Sequence, residues 1–103
     1  MSVKSRLERE YQAKLVKKIE RLIPGSYVRK HDIQQGWPDL LILAPGFWAM
    51  LETKREEPGP EDFEPNQEWW IEEFDQMSFA ACIYPANEKE VLHALSQTFR
   101  SRG

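Results

Sequence analysis

The sequence predicts an α/β domain in which helices flank a mixed central sheet. Apolar residues recur every three or four positions near both ends of the chain, as on amphipathic helices. Two nearly continuous apolar runs meet at Pro45-Gly46, as strands covered on both faces would. A further helical pattern and a short apolar run follow, giving the order α-β-β-β-α-β-α. At 103 residues the chain is expected to be one domain, residues 1–103, around a single core.

Each element has its own signal. Leu7, Tyr11, Leu15, Ile19 and Leu22 make the apolar stripe of a first helix over about 4–23, stopped by Pro24-Gly25. A first strand, with weak alternation, runs from Tyr27 to Ile33. Residues 39–44 and 47–54 are the next two strands. Three prolines and a glycine in 56–65 exclude a helix or strand through that acidic stretch. A helix over about 65–77 carries an apolar face of Trp70, Ile71, Phe74 and Met77, with Pro65 suited to its first turn. Phe79 to Tyr84 is the fourth strand, and Glu88 to about Phe99 the last helix.

Composition narrows the function. No apolar run approaches the roughly 20 residues of a membrane span, and Met1-Ser2-Val3-Lys4 opens no secretory signal. The single cysteine, Cys82, forms no internal disulfide and is expected in the core, so a reducing cytoplasm is the default. A net charge of −3 argues against a protein that simply coats nucleic acid. The charge is unevenly spread. Residues 1–55 carry 11 Lys and Arg against 6 Asp and Glu, and residues 56–103 carry 3 against 11. A basic front half suits a phosphate backbone, although two solvated helix faces account for the pattern more plainly.

Polar residues in apolar places locate the candidate site. A turn at Pro45-Gly46 sets Asp39 across from Glu52, with Cβ atoms about 5 Å apart. Facing carboxylates repel, and a divalent cation between them would resolve the repulsion. Lys54, two residues beyond Glu52, points to the same sheet face. On the first helix Glu8 rather than Glu10 lies on the apolar side, with Gln12 beside it. Gln67 falls within the apolar face of the second helix, and Trp69 lies off it. Each residue also has a structural explanation: Asp39 in a Pro-Asp turn, Glu52 and Lys54 as an edge ion pair, Glu8 near a helix start, Gln67 as a first-turn cap. Together these require several unrelated coincidences.

Gly36-Trp37-Pro38-Asp39 followed by Glu52-Thr53-Lys54 resembles the Pro-Asp…Glu-x-Lys signature of the PD-(D/E)xK, or restriction-endonuclease-like, superfamily. With Glu8-x-x-x-Gln12 before it and Gln67-Glu68-x-Trp70 after it, the pattern is similar to the VRR-NUC family, the virus-type replication-repair nucleases, over residues from about 6 to 95. The resemblance implies a restriction-endonuclease-like core and a DNA endonuclease using Mg²⁺ or Mn²⁺. It implies that Asp39, Glu52 and the Thr53 carbonyl bind the metal and that Glu8 completes the acidic cluster. Lys54 would position or help deprotonate the attacking water, and Gln67 would support Lys54 or contact phosphate. The acidic loop at 56–64 and the negative net charge depart from the pattern.

Zinc is not expected, since one cysteine and two separated histidines form no zinc cluster. His31 could approach the phosphate from the first strand, although a purely structural role accounts for it more plainly, and His93 is read as a surface residue. The basic residues of the first helix (Lys4, Arg6, Arg9, Lys14, Lys17, Lys18, Arg21), with Arg29, Lys30 and Arg55, are the pool of phosphate contacts. A single cleavage centre implies a homodimer for cutting both strands, with branched, Holliday-junction-like DNA as the expected substrate. Trp69 and the Phe47-Trp48 tip are the candidate interface contacts. The rival readings are a catalytically silent DNA- or protein-binding module with the same fold, and a metal-free domain whose acids form ion pairs.

Overall fold

A computed structural model describes residues 3–102, with side chains from residue 6. The side chain of Lys4 therefore lies outside the described residues. The chain runs α1 (Val3–Leu22), β1 (Tyr27–Lys30), β2 (Leu40–Ala44), β3 (Phe47–Thr53), α2 (Gln67–Met77), β4 (Ala80–Ile83) and α3 (Glu88–Arg102). This is the expected mixed α/β order.

The four strands lie in the order β1-β2-β3-β4. The first three pair antiparallel, and β3 pairs parallel with β4, which α2 makes possible by carrying the chain back across the sheet. The β2–β3 turn keeps the anticipated register, with Ala44 opposite Phe47 and Leu40 opposite Leu51. Gly46 has φ +71° at the second central position, as a type II Pro-Gly turn requires.

Alternation along the strands builds two cores. Leu40 and Ile42 of β2 and Ala49 and Leu51 of β3 pack with Leu15 and Ile19 of α1 and Leu95 of α3. Met50 and Ala80 face the other way and pack with Phe74 of α2, flanked by Trp37, Trp48 and Trp70. Phe74 is the hub of that cluster, with ring centroids 5.0 Å from Trp37 and 5.1 Å from Trp70. Such pairs add about 0.5–1.5 kcal/mol each beyond area burial.

Several expectations are corrected. β1 stops at Lys30, and Ile33 is 66% exposed, because the chain leaves the sheet for a loop at 31–39. α2 begins at Gln67 rather than 65, since Asn66 takes a left-handed conformation (φ 66°) that no helix interior accepts. Met77, at the last turn of α2, is exposed rather than part of its buried face, and Leu22 sits at the rim while Ile23 takes the buried place. Cys82 is half-buried. Phe47 is buried against Phe99, so only Trp48 and Trp69 of the named interface contacts present surface. Among the described residues, no helix is long and apolar enough to cross a membrane.

Candidate active site

Asp39 and Glu52 meet at one end of the β2–β3 pair. Asp39 lies one residue before β2, so continuing the ladder places it opposite Glu52. The Asp39 amide N–H donates to Glu52 Oε1 at 3.2 Å, and His31 N–H donates to the Asp39 carbonyl at 3.1 Å. The preceding loop needs Gly36. It has φ +90°, and a Cβ there would stand 3.1 Å from the Pro65 carbonyl oxygen and 3.2 Å from Trp70 Cδ1. A side chain at that position would be strained by the positive φ and would need Pro65 and Trp70 to give way.

The two carboxylates have different partners. Asp39 Oδ1 accepts the Thr53 amide N–H at 3.0 Å, and Oδ2 accepts the Thr53 hydroxyl at 2.8 Å and Gln12 Nε2 at 2.7 Å. Gln12 Nε2 also donates to Thr53 Oγ1 at 3.0 Å. Glu52 is 6% exposed, and its Oε2 lies 3.3 Å from Lys54 Nζ. Burial first, then the nearby Asp39 charge, pushes the Glu52 carboxyl up to about 8, with Lys54 pulling the other way. Burial also raises Asp39, offset by the Thr53 hydroxyl and amide donors. Burial and mutual repulsion thus disfavour the doubly ionised pair, and a divalent cation would supply the missing positive charge.

Lys54 is held on its far side as well. Its ammonium donates to the Asp62 carbonyl at 2.8 Å and stands 5.5 Å from the centre of the Phe63 ring. The acidic stretch beyond β3 thus folds back over the site through a 3-10 turn at Pro60–Asp62. Gln67 is 3% exposed; its Oε1 accepts Glu64 N–H at 3.3 Å, and it borders the same groove as Asp39, Glu52 and His31. The Gln67 side chain thus holds the backbone just ahead of α2 and also borders the site, and α2 carries no side-chain cap at Asn66. His31 Nδ1 accepts Ile33 N–H at 3.3 Å.

The structure brings Asp39, Glu52, Thr53 and Lys54 together and leaves Glu8 at the rim. Glu8 is half-buried and borders one groove with Asp39 and another with Lys54. Among the described residues, no three His, Cys, Asp or Glu side chains gather closely enough to hold an ion. The close donors are two carboxylates and the Thr53 carbonyl, which faces β2 because that residue's N–H does. These are hard oxygen donors, suited to Mg²⁺ or Mn²⁺.

Charge differs on the two sides of Asp39. The groove toward Glu52 also carries Asp32 and Glu64. The groove toward α1 carries Arg9 and Lys30 beside Glu8 and Gln12. Neither Arg9 nor Lys30 takes part in an ion pair among the described residues, whereas Lys18 is paired with Glu88 and Arg29 with Glu20.

Neither the Gln12 side chain nor the Thr53 hydroxyl has a role assigned by sequence pattern alone. The signal for Gln12 was its polarity one turn before Leu15 and Ile19 on a buried stripe. No protein-family model matches this chain, and no curated protein or solved structure does either.

Proposed function

We propose that this chain is a Mg²⁺- or Mn²⁺-dependent DNA endonuclease of the PD-(D/E)xK type, similar to the VRR-NUC family and its restriction-endonuclease-like core. The observation that carries the proposal is the meeting of half-buried Asp39 with buried Glu52, with Lys54 Nζ 3.3 Å from Glu52. Bringing two acids together partly out of water without a cation is costly, and the cost is understandable where a cation is to be bound.

Asp39, Glu52 and the Thr53 carbonyl would hold the metal, with Glu8 closing in from α1. When bound, the cation lowers the pKa of water and draws charge from phosphate oxygens. Lys54 orients the attacking water from the side of Glu52 and stabilises charge on the phosphate. To do so it exchanges the Asp62 carbonyl for the substrate. Gln67 borders the phosphate position. Arg9 and Lys30 supply backbone contacts on the α1 side, while Asp32 and Glu64 repel phosphate on the other. One centre cuts one strand, so a homodimer acting on branched DNA is the arrangement we favour. The lone Cys82 suits a reducing cytoplasm.

The test is cleavage of end-labelled four-way junction, flap and linear duplex DNA with Mg²⁺, Mn²⁺ or EDTA, beside Asp39→Ala. Metal-dependent cutting lost in the variant supports the proposal, and the preferred substrate sharpens it. A folded protein that cuts none of these with either metal is instead the silent binding module.

A further inference from the structure

We propose that Gln12 is a positioning residue, whose side-chain amide fixes Asp39 for metal binding; this rests on the metal-dependent reading above. Gln12 is 8% exposed and shares a buried stripe with Leu15 and Ile19, which are fully buried. For packing alone an apolar residue would serve there, and a buried amide is costly unless its hydrogen bonds are made.

The three-way contact has one consistent arrangement. An ionised carboxylate only accepts, so the Thr53 hydroxyl must donate its single proton to Asp39 Oδ2. That leaves the hydroxyl oxygen as an acceptor for Gln12. Gln12 must then present its NH₂ end, which reaches both Oδ2 at 2.7 Å and Thr53 Oγ1 at 3.0 Å. Asp39 Oδ2 is thereby pinned from α1 and β3 at once, and Oδ1 is pinned by the Thr53 amide.

Gln12 is the α1 residue hydrogen-bonded to the carboxylate pair among the described residues, and it is the most N-terminal buried side chain described on that helix. Glu8 lies one turn further on, half-buried. With Tyr11, which packs on the core beside it, the amide that orients Asp39 ties the turn of α1 below Glu8 to the sheet. Groups that orient metal ligands from behind typically contribute 10–100-fold to metal affinity.

The experiment is Mn²⁺ titration calorimetry without DNA, on wild type, Gln12→Met and Thr53→Val, with melting curves of the metal-free proteins alongside. Gln12→Met keeps the side-chain length and removes the donors. Thr53→Val removes the hydroxyl and keeps the backbone carbonyl. We expect each single variant to bind Mn²⁺ about 10–100-fold more weakly. The double variant should lose less than the product of the two single losses, because both act on one carboxylate. Wild-type Mn²⁺ affinity in Gln12→Met, with only the melting temperature lowered, would overturn the inference and make Gln12 a packing residue. If Gln12→Met does not fold, Gln12→Asn, which keeps an amide there but draws its donors back by one methylene, takes its place, and wild-type Mn²⁺ affinity in it overturns the inference equally. A wild-type protein that binds no Mn²⁺ sinks the metal-dependent reading itself.

Discussion

The two faces of the sheet are built from different materials. Toward α1 and α3 the core is mostly aliphatic and closed: Leu15, Ile19, Leu40, Ile42, Leu51 and Leu95 are all fully buried, with Phe47 and Phe79 as its buried rings. Toward α2 it is aromatic and partly open, with Trp37, Trp48 and Trp70 half-buried around Phe74. α2 packs mainly on β3 and β4, and Tyr27 and Leu43 of the first two strands stay exposed on that side. Glu52 and Lys54 follow Met50 on the open face, while Thr53 follows Leu51 on the closed one. The closed face supplies rigidity, and the open face supplies the groove. Asp39 is reached from both, by Gln12 and Thr53 on one side and by Glu52 on the other.

Adjacent residues of β3 test that division most strongly. Leu51→Ala should cost about 3–5 kcal/mol in urea unfolding, because a closed aliphatic site collapses poorly around a cavity. Met50→Ala, facing the adaptable aromatic side, should cost nearer to about 2 kcal/mol. Equal losses would break the comparison.

Glu52 should move stability in the opposite direction. An acid whose folded pKa is raised takes up a proton on folding, so its contribution is intact below the unfolded value and is lost as pH rises. The Glu52 carboxyl is raised from 4.5 to about 8. The metal-free protein should therefore lose stability across that window. Glu52→Gln keeps an acceptor for the Asp39 amide and removes the titrating charge. Its melting temperature near pH 8 should exceed that of wild type by roughly 4–8 °C, for an effect of order 1 kcal/mol, with the gain gone at pH 4. A pH-independent difference would mean that this carboxyl is not the group that titrates.

Much of this was legible in the chain. The β2–β3 register followed from Pro45-Gly46, and with it the meeting of Asp39 and Glu52, because a period of two leaves one way to bury both runs. The ends of elements were harder to read. Nothing local marks Lys30 as the last residue of β1, and Asn66 adopts its left-handed turn only because the chain must enter α2 there. The Gln12–Thr53–Asp39 contact joins residues 27 and 41 positions apart, so no short-range pattern encodes it. The acidic stretch was readable as irregular, but its contact with Lys54 depends on a carbonyl, which every residue has.

A smaller effect is expected on the basic side of Asp39. If Arg9 and Lys30 contact phosphate, Lys30→Ala should weaken DNA binding uniformly across sequences. It should also reduce the slope of log affinity against log salt by about 0.9. Lys18→Ala, whose ammonium is already paired with Glu88, should leave the slope unchanged. Fluorescence anisotropy in Ca²⁺ measures both without cleavage, and similar slopes for the two variants would place the DNA elsewhere.

The smallest effect concerns Phe63, which tests whether the acidic stretch restrains the open face. Its ring stands 5.5 Å from the Lys54 ammonium, which also donates to the neighbouring Asp62 carbonyl. A partly exposed cation–π contact contributes about 0.5–1 kcal/mol. Phe63→Ala should then free Lys54 for acylation about 2–5-fold faster, read by mass spectrometry against an exposed lysine such as Lys14. Folding stability should change little, because Phe63 is only half-buried and belongs to neither core. Unchanged acylation would mean that Lys54 is restrained by Glu52 and the Asp62 carbonyl alone. A large loss of stability would mean that the loop is part of the α2 face rather than a cover laid over it.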